Sequence, residues 1–167
     1  KTLFAQRCLQ LHQVPYLSLD HLKMGLIRSA LCPLTPESPT DALTAFLWPV
    51  AREMAKTAVE NQQHLVVEGC YIPLDFQQDL PEQYREQVRF LCLILHPDYI
   101  HSHYGEILKY ENAVEHRLPL GEPPSLQELV EENQALLDAC AQKNLPHLVI
   151  RRDYLGSLQR AVQALTF

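Results

Sequence analysis

The sequence predicts an α/β fold with a parallel sheet. Two observations carry that prediction: short apolar runs alternate with segments of helical periodicity along the whole chain, and two of those runs close on an acidic residue. Lys1 to Gln13 reads as the first helix, with Leu3, Phe4, Arg7, Cys8 and Leu11 forming a mostly apolar stripe. Pro15 ends it, and Tyr16-Leu17-Ser18-Leu19 follows as a short strand. Asp20 stands at the junction with a helix that runs to about Leu31. Cys32 to Thr40 holds three prolines and reads as a loop. A long helix over Asp41 to Asn61 contains Pro49, which is expected to kink it.

His64 to Val67 is a compact apolar run bounded by Glu68-Gly69, the pattern of a buried parallel strand. Pro73 to Pro81 reads as loop and Glu82 to Glu86 as a short helix. Val88 to Leu95 carries the strongest strand signal in the chain. A polar helix opens at Pro97 and continues to about Arg117, and Leu118 to Pro124 is a connection. Ser125-x-x-Glu128 is a capping box that opens the next helix, to about Lys143. His147 to Ile150 is the last strand and Leu155 to Leu165 the closing helix. There is no internal repeat, and 167 residues suit one domain with a proper core.

Composition narrows the function. Apolar residues make up 47% of the chain and charged residues 20%, the balance of a globular protein. No run approaches the roughly 18 apolar residues of a membrane span, so no membrane partner is expected. A net charge of -6 argues against nucleic acid as a partner. It leaves room for a nucleotide, whose phosphates need only a few basic groups and backbone amides. The five cysteines are scattered without CxxC spacing, which fits reduced thiols in a cytoplasmic protein.

Four constellations could carry chemistry. Lys1-Thr2 opens an amphipathic helix, where a lysine can reach phosphates, a threonine hydroxyl can ligate Mg²⁺, and the helix dipole favours an anion. The same pair also suits an ordinary helix start. Asp20 lies at the carboxyl end of a strand, where open α/β sheets bind ligands. It could take a proton from an acceptor hydroxyl, or only cap its helix. Lys23 and Arg28, on the same helix, could hold an anionic part of an acceptor. Glu68, ending a buried strand before a glycine, could position Mg²⁺ through water or polarise the acceptor.

The fourth constellation is the helix from Asp98 to Arg117, in which Arg117 could cover phosphates and neutralise transition-state charge. His101 and His103 on it point to different faces, which fits a solvated surface better than a zinc pair. Arg151 and Arg152 follow the last strand, where a loop could contact a nucleotide base, or form a charged turn. Trp48, Met54 and Tyr71 read as core or pocket wall.

In this order the pieces resemble the P-loop kinases of the adenylate-kinase-like group. YLSLDHLKMGLIR (16–28), together with LWPVAREMAKTAVE (47–60) and LVVEGCYIP (65–73), is most similar to small kinases described as adenylate-kinase-like or 2-phosphoglycerate-kinase-like. The resemblance implies a three-layer P-loop NTPase fold, its parallel sheet flanked by helices. The first strand and phosphate-loop glycines would be missing ahead of Lys1. It implies a single kinase domain over 1–167 with a lid-like segment at about 97–124.

The resemblance also assigns roles. Lys1 matches the phosphate-loop lysine and Thr2 the magnesium ligand. Asp20 matches the substrate-side acid and Glu68 the acid ending the third strand. Arg117 is a looser match to a lid arginine. Lys23, Arg28 and Tyr71 would line the acceptor site, and Arg151 and Arg152 the nucleotide. The implied cofactors are ATP and Mg²⁺, and the implied activity is transfer of the γ-phosphoryl group to a small hydroxyl-bearing acceptor by a monomer or homodimer. Adenylate kinases carry Asp-Gly-x-Pro-Arg where this chain has Glu68-Gly69-Cys70-Tyr71-Ile72-Pro73. The missing arginine argues against a nucleoside monophosphate acceptor. A nucleotide-binding regulatory module without catalysis, and a phosphotransferase acting on an antibiotic or sugar, are the alternatives.

Overall fold

A computed structural model of the chain describes residues 1–110 and 123–167. The fold is mixed α/β, and its described strands form two parallel two-stranded ladders. The chain divides into two compact units. One comprises Lys1–Arg89 with Leu165–Phe167, and the other Phe90–Ala164.

In the first unit, α1 (Thr2–His12) leads through Pro15 to β1 (Tyr16–Ser18), and α2 (Leu19–Arg28) starts without an intervening loop. α3 (Thr40–Glu60) stays helical across Pro49, and β2 (Val66–Glu68) then pairs in parallel with β1. A 3₁₀ turn (Phe76–Asp79) and the short α4 (Glu82–Arg85) complete the unit. Both sheet strands pack against α1, and α2 packs against β1 and α3. Ala5, Cys8, Leu19, Leu43, Leu47, Ala51, Phe76 and Leu80 are buried there.

The buried face of α1 differs from the expected stripe. Thr2, Ala5 and Cys8 are inside, whereas Arg7 is exposed and Leu11 is 54% exposed. Cys8 of that stripe is buried and Leu3 and Phe4 are half-buried, while the Thr2 hydroxyl bonds Glu68 at the end of β2. α1 stops at Gln13, which adopts the left-handed conformation and donates its backbone N–H to the Leu9 carbonyl.

In the second unit, β3 (Cys92–Leu95) pairs in parallel with β4 (His147–Ile150). The long strand expected from Val88 is held to four residues because its partner offers only four. The amide of Cys92 bonds the Pro146 carbonyl at one end of the ladder, and the amide of His96 bonds Ile150 at the other. α5 (Pro97–Tyr110) is interrupted at His103, whose backbone leaves helical geometry. α6 (Leu126–Gln142) opens on the expected capping box, with both bonds between Ser125 and Glu128 formed. The Asn133 side chain accepts from the Leu95 amide and donates to the Leu129 carbonyl, tying the end of β3 to α6. α7 (Tyr154–Gln163) is capped by Asp153, which accepts from the Gly156 amide.

One glycine fixes how β2 leaves the first ladder. A β-carbon added at Gly69 would stand 2.7 Å from the Leu19 β-carbon, inside any tolerable contact. The chain after Glu68 passes against the first residue of α2, and only glycine permits that approach. Gly69→Ala is expected to cost about 1–3 kcal/mol as overpacking. A lowered urea midpoint would bear this out, and an unchanged midpoint would contradict it.

Candidate functional site

The parallel register places Ser18 opposite Glu68, so β1 and β2 deliver their carboxyl ends side by side. Glu68 is buried at the end of β2, 7% exposed, and its Oε1 accepts a hydrogen bond from Thr2 Oγ1 at 3.1 Å. Thr2 is the first residue of α1 and itself buried, so this bond joins the N-terminus of α1 to the end of the ladder. Lys1 is the exposed N-cap of the same helix. A hydroxyl and a carboxylate at a helix N-terminus form a hard-oxygen pair of the kind that holds Mg²⁺, which keeps most of its water shell. Such a pair could contribute to holding a hard divalent cation. Among the described residues, no three His, Cys, Asp or Glu side chains converge as an all-protein metal cage.

Asp20 occupies the first turn of α2, and Ser18 is the N-cap. The capping role open to Asp20 is thus not the position it takes, although a carboxylate in a first turn is favoured by the helix dipole. Asp20 is 8% exposed and Lys23 9%. One helical turn apart, they bring Lys23 Nζ to 3.1 Å from Asp20 Oδ1. The same ammonium donates to the Tyr71 hydroxyl at 2.8 Å. Tyr71 is 5% exposed and lies three residues beyond Glu68, which brings the segment after β2 against α2.

Of the residues named from sequence, Lys1, Thr2, Asp20, Lys23, Glu68 and Tyr71 all belong to this end of the first unit. Arg28 is on α2 but exposed, five residues past Lys23 and so about 140° around the helix from it. Helix phase therefore puts Arg28 on a different face of α2 from Lys23. Arg151 and Arg152 are exposed residues of the second unit, directly before the Asp153 cap. Arg117 and the rest of 111–122, including the middle of the expected lid, lie outside the described residues.

His103 sits at the interruption of α5 with its ring stacked on Tyr99, centroids 4.2 Å apart. Met54, expected as core or pocket wall, is 40% exposed. Trp48 is a pocket wall as expected. Its indole N–H donates to Asp79 Oδ2 at 2.7 Å beside an open cleft of about 500 Å³, lined also by Asp41, Ala45, Pro49 and Pro73. All five cysteines are free thiols, and of them only Cys70 is exposed. No helix among the described residues is long and apolar enough to cross a membrane.

Sequence reasoning passed over Ser18, which is 3% exposed and pairs in register with Glu68. The signal was present, since a serine two residues before an acid at a strand end is a helix N-cap pattern. Asp79, the partner of Trp48, had no comparable signal.

No protein-family model matches this chain, and no curated protein or solved structure matches it either.

Electrostatics bind Lys23 and Tyr71 into one unit. Burial alone would lower the Lys23 ammonium, but its bonds to Tyr71 and Asp20 and the Asp20 charge hold it above the ordinary lysine value. Burial pushes the Tyr71 phenol up, against the opposing pull of Lys23. Both groups keep their protons longer in the folded chain than in the unfolded one. Their stabilisation is therefore complete below their ordinary values, near pH 10, and is lost as pH rises through the folded values. Tyr71→Phe is expected to cost about 1.5–3 kcal/mol near neutral pH, because a buried charged donor loses its acceptor. That deficit should shrink above about pH 10. Thermal melts of both proteins across this range test it, and a constant deficit would contradict the coupling.

Proposed function

We propose that this chain is an ATP-dependent kinase of the P-loop class that phosphorylates a small hydroxyl-bearing molecule. The observation that carries this reading is the buried hydrogen bond between Thr2 and Glu68, which couples a helix N-terminus to an acidic strand end. A hydroxyl and a carboxylate that suit a metal meet where the backbone amides and dipole of α1 favour phosphate. The α/β character and parallel pairing of β1 with β2 are compatible with the finer three-layer P-loop architecture, which belongs to this reading.

In the proposed site, Lys1 and the N-terminus of α1 would bind the phosphate chain, and the Thr2 hydroxyl would help hold the metal. Bound MgATP would supply the phosphoryl group and neutralise its charge. Glu68 would help hold the metal or orient the acceptor. Asp20 accepts the proton of the acceptor hydroxyl as its oxygen bonds phosphorus, and the bond to the ADP oxygen breaks. Tyr71 keeps its proton, held by burial, and faces the same strand ends as Asp20. A nucleoside monophosphate is disfavoured as acceptor, since the stretch after Glu68 carries no arginine to grip its phosphate.

A screen of hydroxyl compounds with MgATP, read by ADP release, tests the reading. With the acceptor in hand, Asp20→Asn should lower turnover by about 10²–10⁴-fold, the usual contribution of a general base. MgATP affinity by calorimetry should stay within about twofold, because Asp20 is assigned to the acceptor and not the nucleotide. Full turnover in the variant would remove Asp20 from the mechanism, and failure of the native chain to bind MgATP would remove the kinase reading itself.

A further inference from the structure

Resting on the kinase reading, we infer that Lys23 is a positioning residue, engaged inside the protein by Asp20 and Tyr71, and that the site accepts an uncharged hydroxyl compound in preference to an anionic one. A lysine beside a catalytic carboxylate ordinarily suggests a grip on an acceptor phosphate or carboxylate. Here the residue is buried, 9% exposed, with its ammonium 3.1 Å from Asp20 and 2.8 Å from Tyr71. Two of its three protons have partners, and its charge is balanced by the carboxylate one turn earlier. Arg28, the other cation of α2, is exposed on a different face of the helix. An anion brought to Asp20 would meet a carboxylate whose counter-charge is already in use.

The pairing also orients Tyr71. Lys23 donates to its hydroxyl, and an ammonium has no lone pair to accept in return, so the phenolic proton cannot be directed to Lys23. Tyr71 is thereby set as a donor toward an oxygen other than its partner's. An uncharged polyol or sugar, offering one hydroxyl to Asp20 and an oxygen to Tyr71, satisfies both groups and adds no charge. Lys23 takes no part in bond making. It fixes Asp20 and Tyr71 against each other.

The test compares matched pairs that differ by one anionic group, glycerol against glycerate and glucose against gluconate. Binding to the full chain is read by saturation-transfer NMR in the presence of MgATP, and turnover by ADP release. The uncharged member of a pair should bind at least about tenfold more tightly, since like charges are opposed at the site. Equal or tighter binding of the carboxylate, or no saturable signal from either member of both pairs, overturns the proposal.

Lys23→Met should lower kcat by about tenfold or more and move KM for the uncharged acceptor by less than about twofold. A raised KM with unchanged kcat would restore Lys23 as an acceptor grip and overturn the positioning role. Because that variant could lose its fold, competitive acetylation of the native chain provides a second measurement. Lys23 should label at least about tenfold more slowly than the exposed Lys143, as a buried, hydrogen-bonded ammonium does. Equal labelling overturns the proposal. Calorimetry with MgATP separates the two levels: absent nucleotide binding sinks the kinase reading, while the NMR comparison of the pairs still decides the acceptor class.

Discussion

The parallel register of β1 and β2 sets Ser18 opposite Glu68, and the candidate site follows from that alignment. Because the strands run the same way, both carboxyl ends emerge together. α2 begins at once after Ser18, with Asp20 in its first turn, and the chain after Glu68 can turn past it only because residue 69 lacks a side chain. A slip of one residue would point Glu68 to the opposite face and break its bond to Thr2. The register therefore controls which polar groups are buried and which partners they find.

Burial of those groups is expensive. Thr2, Asp20, Lys23 and Glu68 are each at most 9% exposed, and a buried charge loses several kcal/mol of hydration that pairing recovers only in part. Apolar residues of similar size would suit this position as well or better if stability were the only requirement. The four side chains lie together at strand ends and a helix N-terminus, where α/β folds place their ligands. Their cost is understandable if they serve a ligand. In the second unit the polar side chains have a plainer role. Asn133 closes the end of β3, Ser125 and Glu128 close α6, and Asp153 caps α7.

Much of this site was legible from sequence because it depends on residue type at an element boundary. An acid directly after a short apolar strand can be read without coordinates, and Asp20 and Glu68 were read that way. Helix phase was less legible. The apolar stripe of α1 pointed to Leu3, Phe4, Arg7, Cys8 and Leu11, of which only Cys8 is fully buried, while Thr2 and Ala5, outside that stripe, are inside, Thr2 bonded to Glu68. Arg28 shares a helix with Lys23 but not a face. Strand length was hidden too, since the apolar signal from Val88 says nothing of a four-residue partner. The role of Lys23 lay further out of reach, because sequence supplies an ammonium and only the fold supplies Asp20 and Tyr71 on either side of it.

The central claim is that the buried acid at the end of β2 exists for a ligand and not for the fold. Glu68→Gln keeps the size of the side chain and an oxygen for the Thr2 hydroxyl while removing the charge. Calorimetric titration of this variant with MgATP, set beside its thermal midpoint, tests the claim most directly. The account predicts a midpoint equal to or above that of the native chain, with MgATP affinity lowered by about tenfold or more through loss of the metal's acidic partner. A large fall in the midpoint with unchanged MgATP affinity would contradict it and make Glu68 a structural residue.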